Sequence, residues 1–120
     1  MLAGLEATKR PDEYVYAVVD RGHPVVRLAA ATITEDEGLT VVLRRIDADV
    51  HGVQYEFIAS WITLTVHSSL EAIGLTAAFS SALGEANISC NVIAGSFHDH
   101  LLVPAAEASR ALEVLLGLRD

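Results

Sequence analysis

The sequence predicts an α+β fold in which an antiparallel sheet carries helices on one face. Residues 61–67 alternate between apolar and polar side chains, as in a strand with one buried face. Residues 75–86 then place apolar side chains three and four apart, the spacing of a helix that packs by one side. Two further strand-like runs and a second amphipathic segment follow, the latter opened by Pro104 and closed by Gly117. The order β-α-β-β-α therefore organises residues 60–120.

The first half of the chain has weaker patterns. Residues 1–10 fit a short helix ended by Pro11. Turn-forming residues separate the apolar runs that follow, including Gly22-His23-Pro24 and the acidic turn 35–38, whose spacing does not fit a calcium loop. The predicted elements are strands at 14–19, 29–34, 39–43 and 55–59, and a short helix at 46–51 that Gly52 closes.

The central helix has two alternative beginnings. The run Ser68-Ser69-Leu70-Glu71 fits a capping box, which would begin the helix near Ser69. Gly74 is a poor residue inside a helix and favours a later start, at about residue 74, after a loop. At the other end, we expect Asn87 to adopt the left-handed cap conformation, with Ile88 folding back on Leu83.

A hairpin and a last helix complete the predicted fold. Strands are expected at 89–97 and 100–103, joined by a turn at His98-Asp99, and the last helix at 105–116. Gly95 falls inside the first of these strands. A glycine there marks a bulge or a place where another group approaches the backbone closely.

Composition limits the class of protein. The 120-residue chain has a net charge of −8 and scattered basic residues, which argues against a nucleic-acid partner or an anionic membrane surface. Its high apolar share, 52%, with only 20% charged residues favours a homodimer or larger homo-oligomer. The single cysteine, Cys90, cannot form an internal disulfide. With no apolar run of about 20 residues and no signal-peptide core, a cytoplasmic location is expected.

Three motifs resemble those of the ACT domain, a small regulatory module that binds ligands. They are Gly74-Leu75-Thr76-Ala77, the helix exit Glu85-Ala86-Asn87-Ile88, and the segment DHLLVP at 99–104. The chain is most similar to small bacterial ACT proteins, and DHLLVP also resembles the tandem-ACT amino-acid sensors for arginine. The resemblance implies a ferredoxin-like βαββαβ-type fold, with 1–59 as a degenerate ACT-like lobe and 60–120 as the ACT core, packed as one unit. Glu71-Ala72-Ile73 departs from the usual Asp-x-Pro, so a ligand type does not carry over.

The same resemblance implies a non-catalytic protein that binds a small molecule, with an amino acid as the expected ligand. Amides at the helix entrance would take the ligand's carboxylate, and Asp99 matches the acid that the sensors use near cationic groups. The alternative is that Gly74 serves helix–sheet packing and Asp99 only forms a turn. The predicted ligand-binding residues are Ser68, Ser69, Leu70, Glu71, Gly74, Leu75, Gly95 and Asp99.

Other classes of function find weaker support in the residues. His67, His98 and His100 could hold a metal ion if the strands brought them together, but His98 is expected in the turn, so we expect neither metal nor cofactor. Ser68 or Ser69 beside His67 could suggest a hydrolase, yet no nucleophile elbow is present. An interaction or oligomerisation module without a ligand remains the main alternative.

Overall fold

The computed structural model describes residues 2–120. By their contacts they form two compact units: a larger unit made of the residues up to Arg10 together with Ser60–Asp120, and a smaller unit, Pro11–Ala59. The division of the chain into domains at residues 59 and 60 stays a prediction. In none of the described residues is there a helix long and apolar enough to cross a membrane.

Six strands and three α-helices form in the described residues, with short 3-10 helices at Pro24–Leu28, Ala105–Glu107 and Gly117–Arg119. The elements in chain order are β1 (Glu6–Val19), β2 (Ala31–Glu35), β3 (Gly38–Arg44), α1 (Arg45–Val50), β4 (Ile58–Thr65), α2 (Ser69–Glu85), β5 (Asn91–Ala94), β6 (Asp99–Pro104) and α3 (Ala108–Leu116).

In the smaller unit the strands follow the order β2-β3-β1. Both pairs are antiparallel, with Tyr14 opposite Arg44 in one and Ala31 opposite Val42 in the other. Apolar side chains from β1, β3 and α1 make a separate core. Its buried members are Val15, Ala17, Val25, Leu39, Val41, Leu43 and Ala48.

In the larger unit the order is β1-β4-β6-β5, and β5 pairs antiparallel with β6. Helices α2 and α3 pack on one face of β4 and β6. The buried residues of these two helices and two strands belong to one cluster. That cluster contains Leu2, Leu5, Ile62, Leu64, Leu75, Phe79, Leu83, Ile88, Leu101, Val103, Ala111 and Leu115. The predicted α+β class, with an antiparallel sheet and helices, is confirmed.

Helix α2 begins at the predicted cap residue Ser68, with one half of the capping box formed, since the Glu71 carboxylate accepts from the Gly4 N–H. The Ser68 side chain accepts a hydrogen bond from the Glu71 backbone N–H at 3.1 Å, and Ser69 is the first helical residue. The later start, near residue 74, is wrong: the cap satisfies one of the N–H groups that a helix start leaves open. Gly74 therefore lies inside the helix.

The exit of α2 confirms the predicted cap. Asn87 has a φ of 60°, and the Ile88 N–H donates to the Leu83 carbonyl at 2.9 Å. Ile88 and Leu83 are both buried in the same cluster. The left-handed residue thus turns the chain back onto the core immediately after the helix.

Replacing Asn87 tests this geometry. Asn87→Ala should lower the free energy of unfolding by about 1 kcal/mol, since alanine lacks the local hydrogen bonding that lets asparagine adopt left-handed backbone. Asn87→Gly should be neutral or slightly stabilising. Urea unfolding of both variants measures the difference, and equal stability of the two would contradict a left-handed requirement at this position.

The predicted helix at 1–10 is wrong. Met1 lies outside the described residues, and β1 begins at Glu6 and continues through Pro11. Ala7 packs against the core while Glu6 and Thr8 are exposed, the two-residue period of a strand. Pro11 precedes Tyr14, the first residue paired with β3, so its missing N–H costs no hydrogen bond of that ladder.

Two other boundaries also differ from the prediction. Residues 55–57 are not a strand, and the predicted strands at 55–59 and 61–67 are a single strand, β4. The hairpin turn is not at His98-Asp99 but at residues 95–98, where the Gly95 N–H donates to the His98 carbonyl at 2.9 Å. Asp99 is consequently the first residue of β6.

Candidate functional site

The first turn of α2 presents backbone N–H groups that have no acceptor within the helix. The first N–H groups of any α-helix lack an acceptor within the helix. Here the Ser68 hydroxyl accepts the N–H of Glu71, which leaves those of Ser69 and Leu70 without a helical acceptor. Both residues are exposed. This turn can therefore offer two amide donors, at the positive end of the helix dipole, to an anionic group.

A groove of about 450 Å³ lies beside this turn, entirely within the larger unit. Three of the predicted ligand-binding residues, Leu70, Glu71 and Gly74, line it. The remaining lining residues are Leu2, Ala78, Gly117 and Leu118. Its walls are mainly apolar, with the Glu71 carboxylate as the charged group.

The two ends of the chain build one wall of the groove. The Gly4 N–H donates to the Glu71 carboxylate at 3.1 Å, and the Leu2 N–H donates to the Leu118 carbonyl at 3.0 Å. Glu71 is therefore engaged by the chain itself. Its carboxylate fixes the N-terminal segment against the start of α2.

Leu75 and Gly74 differ in what they can contribute. The Leu75 side chain is only 3% exposed and belongs to the core, so only its backbone is available to a ligand. Gly74 is exposed, and a Cβ added there would meet no atom within 4 Å. Packing in the described residues thus does not require glycine at position 74.

Gly74→Ala should raise the free energy of unfolding by about 1 kcal/mol, because alanine is the better helix former and nothing obstructs its methyl group. Gly84→Ala, also unobstructed but in the last turn of α2, is the matched control and should gain less. Urea unfolding measures both. A destabilised Gly74→Ala protein would refute the open surroundings described for this residue.

Gly95 and Asp99 lie at the β5–β6 hairpin and do not line the groove. A Cβ on Gly95 would come within 3.1 Å of the His98 carbonyl oxygen and 3.2 Å of His100 Nε2, so a side chain there would require these neighbours to move by a few tenths of an ångström. Asp99 is half-buried and pairs with Ala94. By strand alternation it shares the helix-covered side of the sheet with Leu101, whereas His98 and His100 project from the other side.

The side of β4 and β6 opposite the helices carries a polar network around the buried Trp61, which we call the histidine face. It consists of Arg10, Trp61, Thr63, Thr65, His98 and His100. Thr65 Oγ1 lies 3.1 Å from His98 Nδ1. Arg10 Cζ stacks 4.0 Å from the centre of the Trp61 ring, whose centre is 5.3 Å from that of His100. The sequence showed a mixed face on β4 but not these partners.

The hydrogen bonds of His100 determine where its proton sits. Nδ1 lies 3.1 Å from Trp61 Nε1 and 3.0 Å from Thr63 Oγ1. An indole N–H can only donate, so Nδ1 accepts and the neutral ring carries its proton on Nε2. Burial lowers the pKa of His100, and the charges of Arg10 and His98 lower it further, while Asp99 opposes them. The structure therefore favours neutral His100.

The three histidines do not form a common metal centre. His67 contacts the Glu6 carboxylate instead of the other two rings, and His98 and His100 are 6.3 Å apart between ring centres. In the part of the chain that the structure describes, no three histidine, cysteine or acidic side chains are arranged to hold a metal ion.

The single cysteine is not poised to react. Burial raises the pKa of Cys90 to about 11, which keeps this thiol protonated at neutral pH.

Stability should depend on pH through His100. Because its pKa is lowered on folding, the unfolded chain binds more protons between the lowered value and the ordinary value of about 6.5. The contribution is complete above about pH 6.5 and is lost as the pH falls through that window. His100→Gln, whose amide oxygen can still accept from Trp61, should flatten this part of the curve of melting temperature against pH.

The control for this experiment is His51→Gln, which changes an exposed histidine of the smaller unit. It should keep the pH dependence of the unchanged protein. If His100→Gln retains the full loss of melting temperature on acidification, the neutral ring does not contribute as described.

An antiparallel sheet with helices on one side defines a small α+β domain, and the open amides at the entrance of α2 suit it to binding an anionic group. Models of the ACT domain match residues 1–60 and residues 56–116. The chain therefore belongs to the ACT-domain family. The predicted resemblance is confirmed.

Solved structures share this fold. A protein of unknown function from Vibrio cholerae, described as a possible transport protein, is 40% identical, with a TM-score of 0.89 over 99% of this chain and 93% of its own. A protein from Agrobacterium tumefaciens is 18% identical, with a TM-score of 0.73 over 94% and 87%. The ligand-free regulatory subunit of aspartate kinase from Thermus thermophilus is 9% identical, with a TM-score of 0.67 over 92% and 94%. The last two show the fold alone. No curated protein matches the chain.

Proposed function

We propose that this ACT-domain protein binds an amino acid at the entrance of α2 and acts as a regulatory, non-catalytic protein. The observation that carries the proposal is the first turn of α2, where two open amides lie beside a groove lined by Leu70, Glu71 and Gly74. Its membership of a family of regulatory domains supports the same role.

The ligand's carboxylate would bind to the N–H groups of Ser69 and Leu70. Backbone amides at a helix start satisfy an anion without requiring a buried positive side chain, and the helix dipole adds to the attraction. The exposed Ser69 hydroxyl stands next to these donors. The apolar groove wall would take the aliphatic part of the ligand.

Asp99 would supply the charge for the ligand's ammonium group. It is half-buried on the helix-covered side of the sheet, at the first residue of β6. Among the described residues its carboxylate has no hydrogen bond or ion pair, so it can accept from a bound ammonium without losing an existing partner. Gly95 contributes indirectly, because it shapes the loop that precedes Asp99.

Binding would be regulatory if it changed how the protein packs against itself or a partner. A ligand shifts such an equilibrium only by its difference in affinity between the two packings. We propose a homodimer or larger oligomer as the form that responds. Leu70 and Ile73, 80% and 82% exposed at the start of α2, place apolar surface next to the proposed site.

The same exposed pair favours the second candidate, an interaction module that binds no small molecule. Large apolar side chains on a surface indicate contact with another protein when they occur together. The two candidates differ in one measurable respect: only the first requires stabilisation by a free amino acid.

A thermal-shift screen against the twenty amino acids separates them. A ligand at about 100 times its Kd adds about 2.7 kcal/mol, on the order of a 10 °C rise in melting temperature for a domain of this size. The rise should disappear in Asp99→Asn, which removes the charge at constant shape. Asp36→Asn, in an exposed turn of the smaller unit, should keep it.

Gly74→Ala locates the site within the groove. Its added methyl group takes up space in the groove and should weaken ligand binding at least about threefold, whereas Gly84→Ala, outside the groove, should bind as the unchanged protein does. Isothermal titration gives both constants. A screen without any stabilising amino acid would reject the proposal in favour of the interaction module, and an undiminished shift in Asp99→Asn would reject the proposed ammonium site.

A further inference from the structure

The groove beside the first turn of α2 offers mainly carbon to a ligand. Leu2 belongs to the hydrophobic core, and Ala78 and Leu118 pack against that core, so the inner wall of the groove continues the protein interior. Leu70 adds an apolar side chain at the helix entrance. The two glycines of the lining contribute no polar side-chain atom.

Glu71 is the charged residue among the described residues that line the groove, and its carboxylate lies against the chain's own backbone. Oε2 accepts from the Gly4 N–H at 3.1 Å. A Cβ built on Gly4 would lie 3.0 Å from Oε1 and 3.6 Å from Oε2, so both oxygens sit close to the N-terminal segment. A ligand side chain in the groove therefore finds its main contacts on the apolar wall.

Such a wall distinguishes between classes of amino acid. A lysine, arginine, aspartate or glutamate side chain would lose water around its charge without gaining a partner on Leu2, Ala78 or Leu118, which is unfavourable. An apolar side chain loses no hydrogen bond in the same place. It gains about fourfold in affinity for each CH₂ group that is removed from water.

We propose that the groove selects amino acids with an apolar side chain, of the size of valine, leucine or phenylalanine. The inference rests on the proposed function, because it names the class of amino acid that the same site takes. The volume of about 450 Å³ is within the range of small-molecule sites and has room for a branched or aromatic side chain.

Isothermal titration of the unaltered protein with single amino acids tests the class. Affinity should rise along alanine, valine and leucine, with leucine at least about tenfold tighter than alanine. Valine should bind about tenfold tighter than threonine, which has the same shape but carries a hydroxyl group in place of one methyl group. Lysine, arginine, aspartate and glutamate should not bind at concentrations at which leucine saturates.

A matched pair of variants places the selection in the groove. Leu70 and Ile73 are both exposed near the start of α2, so neither replacement disturbs the core, but only Leu70 lines the groove. Leu70→Gln keeps the backbone N–H and removes apolar wall, so leucine should bind at least about threefold more weakly while alanine changes less. Ile73→Gln should leave both constants unchanged. The ratio of the alanine and leucine constants is the readout, because a general loss of stability would not change it.

The outcomes separate this inference from the proposed function. Binding of a charged amino acid with no gain from alanine to leucine would overturn the apolar class and leave an amino-acid site in place. Binding of no amino acid would overturn both. Equal losses of leucine affinity in Leu70→Gln and Ile73→Gln would show that the groove wall does not make the selection.

Discussion

The register of β4 determines which of its side chains enter the core of the larger unit and which form the histidine face. Ile62 and Leu64 are buried against the helices, while Trp61 and Thr63 project to the other side. A slip of one residue would exchange the two sets, placing hydroxyl groups in the core and apolar side chains on the polar face. The core and the histidine face therefore depend on the same pairing. Both are lost or kept together.

The features that could be predicted from the sequence are those whose contacting residues lie close together in the chain. The cap at Ser68 and the reversal at Asn87–Ile88 each join atoms within about one helical turn, so a short pattern contains all the information. The alternation in β4 is equally local. These features also position the helix entrance, which is why the candidate ligand residues on α2 could be selected from sequence.

The features that could not be predicted are contacts between residues far apart in the sequence. Arg10 stacks on Trp61, and Gly4 binds Glu71, across more than 50 residues in each case. No local pattern in the first ten residues records those partners, and the spacing of Leu2 and Leu5 is compatible with a helix. The hairpin turn moved for a similar reason: the apolar run before it does not show where pairing with β6 ends.

The path of β1 has a consequence for synthesis. Its first residues belong to the larger unit and its remaining residues to the smaller one, so the chain begins one unit, completes the other, and then returns. On the ribosome, residues 2–10 emerge before β4, β6 and both helices, so they must wait for those elements before their core exists. The smaller unit has all its residues once Ala59 has emerged. Residues 2–10 are thus made before the rest of their unit but are ordered together with it, and a closure over such a long loop is slow.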